Sequence, residues 1–155
     1  MDKNKNAHTY YTYQARMYNI FRDAMKIRLK QMTQAETMEN LRRDLVYSMR
    51  IGHTMVLNCF KSAINFHKHI TDPEKFPANE IFDRQLWTTD EHYMKVVQES
   101  EDHNLLQSKK MFICEPKFQL VILHAFVDEE QIVRVCRNTP HWEKSFVKLI
   151  VSEYE

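Results

Sequence analysis

Gly52 is the only glycine in a chain of 155 residues, and that scarcity limits the folds and chemistries open to it. Backbone that lies close against a phosphate, or that turns through positive φ, is ordinarily built from glycine, because no Cβ obstructs it. A chain with one glycine cannot carry a G-x-G-x-x-G fingerprint, a P-loop or a nucleophile elbow. Nucleotide-dependent enzymes of the common types are therefore not expected, and neither a nucleotide nor any other cofactor is assigned.

The glycine sits in "RIGHTMVLNCF", a Met-rich apolar run without proline. Helical spacing runs through this region. Tyr10, Tyr13, Met17, Ile20, Ala24 and Ile27 alternate three and four apart and share a stripe. The same register continues through Gln31, Gln34, Met38, Leu41, Leu45, Ser48, Gly52, Met55, Cys59, Ser62, Phe66 and His69. One reading is a single helix of about 60 residues. The preferred reading is a hairpin of two helices that break near Met32–Thr33. There Thr33-Gln-Ala-Glu36 has capping-box spacing, and two glutamines weaken the stripe. The second helix, over about 34–70, is apolar on more than one side and would be central to a bundle. Ser48, Gly52 and Cys59 are then small residues that let a neighbour approach closely, at a cost of about 1 kcal/mol for glycine over alanine.

"TDPEKFPAN" ends this region as a loop, and Phe76, Ile81, Phe82, Leu86 and Trp87 give the 72–88 connection apolar anchors. Thr88 to Glu91 opens a third, sparsely apolar helix reaching about Lys110. In the last third, "KFQLVILHAFV" fits either a buried helix or a buried strand. Pro116 favours a helix start there, Asp128-Glu-Glu-Gln131 another, and Thr139-Pro140 a final one. The expected fold is therefore a single domain over 1–155. It is mostly α, a helical bundle or coiled coil with a hairpin half over 1–71 and a C-terminal helical half over 89–155. The alternative is an α+β arrangement with a small sheet within 111–136, in which "MFIC" and "QIVRVC" join the apolar run.

No apolar run approaches the roughly 18 residues of a membrane span, so no membrane partner is expected. The N-terminus lacks the apolar segment of a secretory signal. Three widely spaced cysteines, Cys59, Cys114 and Cys136, form neither a disulfide framework nor a paired zinc motif. An intracellular protein, cytoplasmic or nuclear, is expected. His67 and His69 would diverge on a helix. Glu99 and His103 are four apart rather than the three of a Glu-x-x-His site, so no metal site is assigned. Cys114 is the least unsuitable nucleophile, and no catalytic residue is assigned.

Charge is uneven. Residues 1–50 carry ten Lys/Arg against five Asp/Glu, while the remainder carries twelve against sixteen. The apolar stripe of residues 10–70 also exceeds what the C-terminal half can cover. Together these point to a non-enzymatic interaction module, an adaptor or assembly subunit. It would self-associate or bind an acidic partner chain through Tyr10, Tyr13, Met17, Ile20, Arg22, Lys26 and Arg28. The alternative is nucleic acid binding by the same basic, aromatic segment, "YYTYQARMYNIFRDAMKIRLK".

Overall fold

In a computed structural model, which describes residues 6–125 and 128–147, the chain is built on a three-stranded parallel sheet. Helix α1 (Asn6–Gln14) leads into β1 (Arg16–Tyr18). Helices α2 (Ile20–Arg28) and α3 (Gln34–Ile51) then carry the chain to β2 (Thr54–Phe60). Parallel neighbours require such a crossover, because a tight turn cannot return the chain in the same direction. Met17 lies opposite Val56 and Tyr18 opposite Leu57. On the other side of β2 runs β3 (Gln119–His124), with Val56 opposite Val121 and Leu57 opposite Ile122.

This corrects the expected mostly α bundle: the chain forms neither a long hairpin nor a single long helix. Two of the sheet's strands lie where the heptad register ran on as helix, with Met17 on β1 and Met55 and Cys59 on β2. β2 is the central strand and is buried on both faces. Met55, Leu57 and Cys59 face the main core, while Val56 and Asn58 are buried on the opposite side. A strand buried on both faces reads as a continuous apolar run, and periodicity alone does not separate it from a buried helix. The expected small sheet within 111–136 is also corrected. β3 lies there, but its partner is β2, "QIVRVC" lies in helix α7 (Glu129–Asn138) and "MFIC" is not a strand.

Gly52 marks the boundary. Its φ of +69° places it in the left-handed region at the end of α3. The His53 N–H donates to the Ser48 carbonyl, and the Gly52 N–H to the Met49 carbonyl. These two bonds are the Schellman arrangement that stops a helix. The close-packing reading of Ser48, Gly52 and Cys59 as one helix face is thereby corrected, since the three fall on a helix, its cap and a strand. A Cβ on Gly52 would stand 3.1 Å from the Glu115 Cβ and 3.3 Å from the Lys117 Cβ. Gly52→Ala should therefore destabilise, by about 1–2 kcal/mol, through left-handed strain alone. Gly52→Asn should cost less. Urea midpoints check this, and a midpoint raised by alanine would contradict the cap.

The start of α3 is as expected from sequence. Thr33 Oγ1 accepts from the Glu36 N–H at 3.2 Å, and the Thr33 N–H donates to Glu36 Oε2 at 2.7 Å. Met38, Leu41, Leu45, Ser48 and Met49 form its buried face. Asp128 likewise caps α7, accepting from the Gln131 N–H at 2.8 Å.

Residues 61–118 connect β2 to β3. They hold α4 (Ala78–Ile81), α5 (Arg84–Trp87), α6 (Asp90–Tyr93) and two 3-10 turns, Met94–Val96 and Glu99–Glu101. The expected third helix to Lys110 is thus corrected to short pieces, which its thin apolar content cannot extend. Aromatic side chains hold this irregular segment down. Phe82 meets Phe66 edge-on at 5.0 Å, Phe76 at 6.1 Å and Phe146 at 5.6 Å. Such pairs add to an already large buried area per ring. Four of the five anchors named from sequence, Phe76, Ile81, Phe82 and Trp87, are buried; Leu86 is exposed. The expected start at Thr139-Pro140 is also corrected. Thr139 closes α7, and a separate short helix α8 (Trp142–Ser145) follows. The rest of that predicted helix, residues 148–155, lies outside the described residues.

Arg42 ties α3 to the connection. Its side chain is 2% exposed, yet it donates to Glu39, to Glu101 at 2.5 Å and to the Val96 carbonyl at 2.8 Å. Burial alone would lower its pKa; the two carboxylates more than reverse that and hold it raised. Arg50 adds a bond to the Glu101 carbonyl at 2.7 Å and stands over the Phe112 ring.

Candidate functional site

An open cleft of about 450 Å³ lies where β1, α2 and α3 meet. Strand β1 supplies Arg16 and Met17, α2 supplies Arg22, Asp23 and Lys26, and α3 supplies Asn40, Arg43 and Asp44. A second groove of about the same volume continues from it past Met32, Asn40 and Arg43 to Glu36, Glu39 and Lys75. The two form one channel along the solvent side of α3.

The floor is fixed by a buried tyrosine. The Tyr18 hydroxyl donates to Asp23 Oδ2 at 2.5 Å and lies 3.2 Å from the Thr37 carbonyl. Burial, followed by the bond to Asp23, holds the Tyr18 hydroxyl far above its ordinary pKa, so it remains a donor. Asp23 is itself almost buried and so is oriented from below.

The walls are cationic, and the cations differ in how far they are engaged. Arg16 donates through Nε and Nη2 to Asp44 Oδ1, at 3.0 and 2.6 Å, and lies 5.6 Å from the Tyr47 ring centre. The bond to Asp44 raises its pKa. Arg43 meets Glu39 at 3.1 Å. Lys26 reaches Asp23 only at 4.0 Å. Arg22 is exposed and makes no ion pair among the described residues. Four cations thus line the cleft with Asp23 and Asp44, and of these Arg22 and Lys26 are the least neutralised.

Of the residues named from sequence, the structure brings Met17, Arg22 and Lys26 into this cleft. Tyr10 and Tyr13 project from α1, with 62% and 81% exposure, and do not line it. Arg28 is exposed at the end of α2, outside the cleft. Ile20 is corrected to a core residue with no exposure, so it cannot touch a partner. Sequence reasoning left Arg16 out of the partner set and missed Arg43 and the two aspartates. The available signal was the Arg42-Arg43 pair on an amphipathic helix: of two adjacent residues about 100° apart, one can turn inward and the other outward.

Neither Cys59 nor Cys114 is an activated nucleophile. Burial pushes Cys59 far above its usual range and Cys114 up to about 11, whereas catalytic cysteines are depressed. Among the described residues no group of three or more His, Cys, Asp and Glu side chains is placed to hold a metal ion. No helix among them is long and apolar enough to cross a membrane. Comparison with protein-family models, with curated proteins and with solved structures finds no match.

Proposed function

We propose that the protein is a non-enzymatic binding module that takes an acidic segment of a partner protein into the cleft beside β1. The observation that carries this reading is the pair Arg22 and Lys26 on one helix: Arg22 makes no ion pair among the described residues, and Lys26 reaches Asp23 only at 4.0 Å. A partner carboxylate would complete them. Arg16 and Arg43, already oriented by Asp44 and Glu39, shape the wall. Exposed charges of this kind steer encounter and set specificity more than they add affinity.

The interleaved carboxylates favour a peptide over nucleic acid. Asp23, Asp44, Glu36 and Glu39 recur along the channel, where a regularly spaced polyphosphate would meet repeated like charge. A peptide can place its acids at Arg22 and Lys26 and neutral residues elsewhere. β1 is an edge strand, with no strand on its outer side among the described residues, a setting in which extended peptides can add main-chain bonds.

The test is fluorescence anisotropy with a labelled peptide that carries two glutamates in an otherwise neutral sequence, beside a single-stranded oligonucleotide of equal charge. The peptide should bind more tightly. Arg22→Glu with Lys26→Glu should weaken it at least about tenfold, as two reversed rim charges imply. An oligonucleotide that binds more tightly and loses affinity in the same variant would replace this reading by the nucleic acid one. Binding that is indifferent to the variant would remove the cleft from the function.

A further inference from the structure

The connection between β2 and β3 carries a second exposed feature, independent of the cleft. Residues 102–110 fold back on themselves. His103 bridges Lys109 in antiparallel fashion, and the Lys110 N–H donates to the Asp102 carbonyl at 2.7 Å. Asn104 Oδ1 accepts from the Leu106 and Ser108 N–H groups, both at 2.9 Å, which closes the tip. Behind the tip, Phe112 is buried against Tyr93 and Arg50. The result is a tied-down projection whose end is apolar. Leu106 is 86% exposed and Leu105 57%, with Met111 and Ile113 exposed beside the stem.

Lys109 and Lys110 are exposed on the returning arm, a few residues behind the leucines. Of the nearby carboxylates, Asp102 Oδ1 accepts from the Phe112 N–H and Glu101 pairs with Arg42, while Glu99 is exposed. Lys109 and Lys110 make no ion pair among the described residues, so the loop presents positive charge a few residues behind an apolar end.

We propose that this tip docks on the surface of an anionic bilayer, with Leu105 and Leu106 entering the headgroup–acyl boundary and Lys109 and Lys110 meeting lipid phosphates and carboxylates. Exposed leucines with exposed lysines a few residues behind them match the layering of an anionic bilayer, charged headgroups above an apolar interior. Apolar insertion and lysine attraction are the two contributions by which peripheral proteins hold to anionic membranes. The projection is far too short to span one, so the absence of a long apolar helix does not bear on it.

The experiment is co-sedimentation of the full chain with vesicles of phosphatidylserine and phosphatidylcholine, beside vesicles of phosphatidylcholine alone. The protein should pellet with the mixed vesicles, much less with the neutral ones, and less as salt is raised. Leu105→Asp with Leu106→Asp should lower association at least about tenfold, and each of Lys109→Gln and Lys110→Gln by about fivefold. Leu106→Trp should show a blue-shifted emission on addition of the mixed vesicles, a readout that does not depend on loss of binding. A protein that stays in the supernatant overturns the proposal and leaves the tip to a protein pocket. So does an aspartate variant that pellets like the parent, which would assign lipid binding to the basic cleft. An emission that does not move in the Leu106→Trp variant overturns it as well.

Discussion

Replacing Arg42 by methionine should cost the fold about 3 kcal/mol, the lower end of what removing one partner of a buried ion pair costs. Methionine fills the aliphatic path of the side chain, so the loss is chiefly electrostatic. Glu39 and Glu101, each 23% exposed, lose their shared cation, and the Val96 carbonyl loses its donor. Partial exposure lets water reach the two glutamates, which keeps the cost from the upper end. Adding Glu39→Gln and Glu101→Gln to Arg42→Met should recover part of the loss, because the orphaned charge of Glu101 is then gone, whereas Glu39 keeps Arg43 at 3.1 Å in the single variant. Urea unfolding of the single and triple variants checks both statements. A single variant within about 0.5 kcal/mol of the parent, as for an ordinary surface change, would show that the network does not hold α3 to the 94–101 turns.

A comparable effect is expected from acid at His124, the last residue of β3. Both ring nitrogens are buried, and burial lowers its pKa to about 4, against about 6.5 in an unfolded chain. Below the unfolded value the unfolded state binds the proton and the folded state does not, so stability falls as pH falls. The loss from this one residue should be about 2 kcal/mol between pH 7 and pH 5, approaching about 3 kcal/mol near pH 4, where the folded protein also protonates. Glu39 and Glu80 act in a lower window. Their depressed pKa values, from Arg42 at Glu39 and from His92 and Lys95 overcoming burial at Glu80, give stability that is present above the ordinary carboxylate pKa and lost below it. His124→Leu should therefore flatten the pH dependence between pH 7 and pH 5 while leaving the steeper acid limb. An unchanged slope in that variant would place the titration elsewhere.

The legible parts of this fold are those written in local chemistry. The Thr33–Glu36 capping box and the Asp128 cap are short-range hydrogen-bond patterns, and both appear where their spacing placed them. The buried face of α3 was legible for the same reason, being one helix read at one period. β2 was not legible as a strand. Its partners lie about 40 and 65 residues away in sequence, and burial on both faces removes the alternation that marks a half-solvated strand. Gly52 carried the missing information, since a lone glycine after a helical run is a stop signal; here the apolar positions beyond it kept the helical spacing and concealed the stop. The site divides along the same line. Arg22 and Lys26 are one turn apart on α2, so their sequence proximity is also spatial. Arg16 and Arg43 join them only because the crossover from β1 to β2 folds α3 back beside β1.

The central claim is that the cleft beside β1 receives acidic peptide, and an amide-resolved NMR titration tests it most directly. The same two-glutamate peptide added to nitrogen-15-labelled protein should shift the amides of Met17, Arg22, Lys26, Asn40 and Arg43 in a saturable way. The amides of β3 and of residues 104–110 should stay in place. Shifts that never saturate, or that gather on β3 or the 104–110 tip and leave those five residues unmoved, would contradict it.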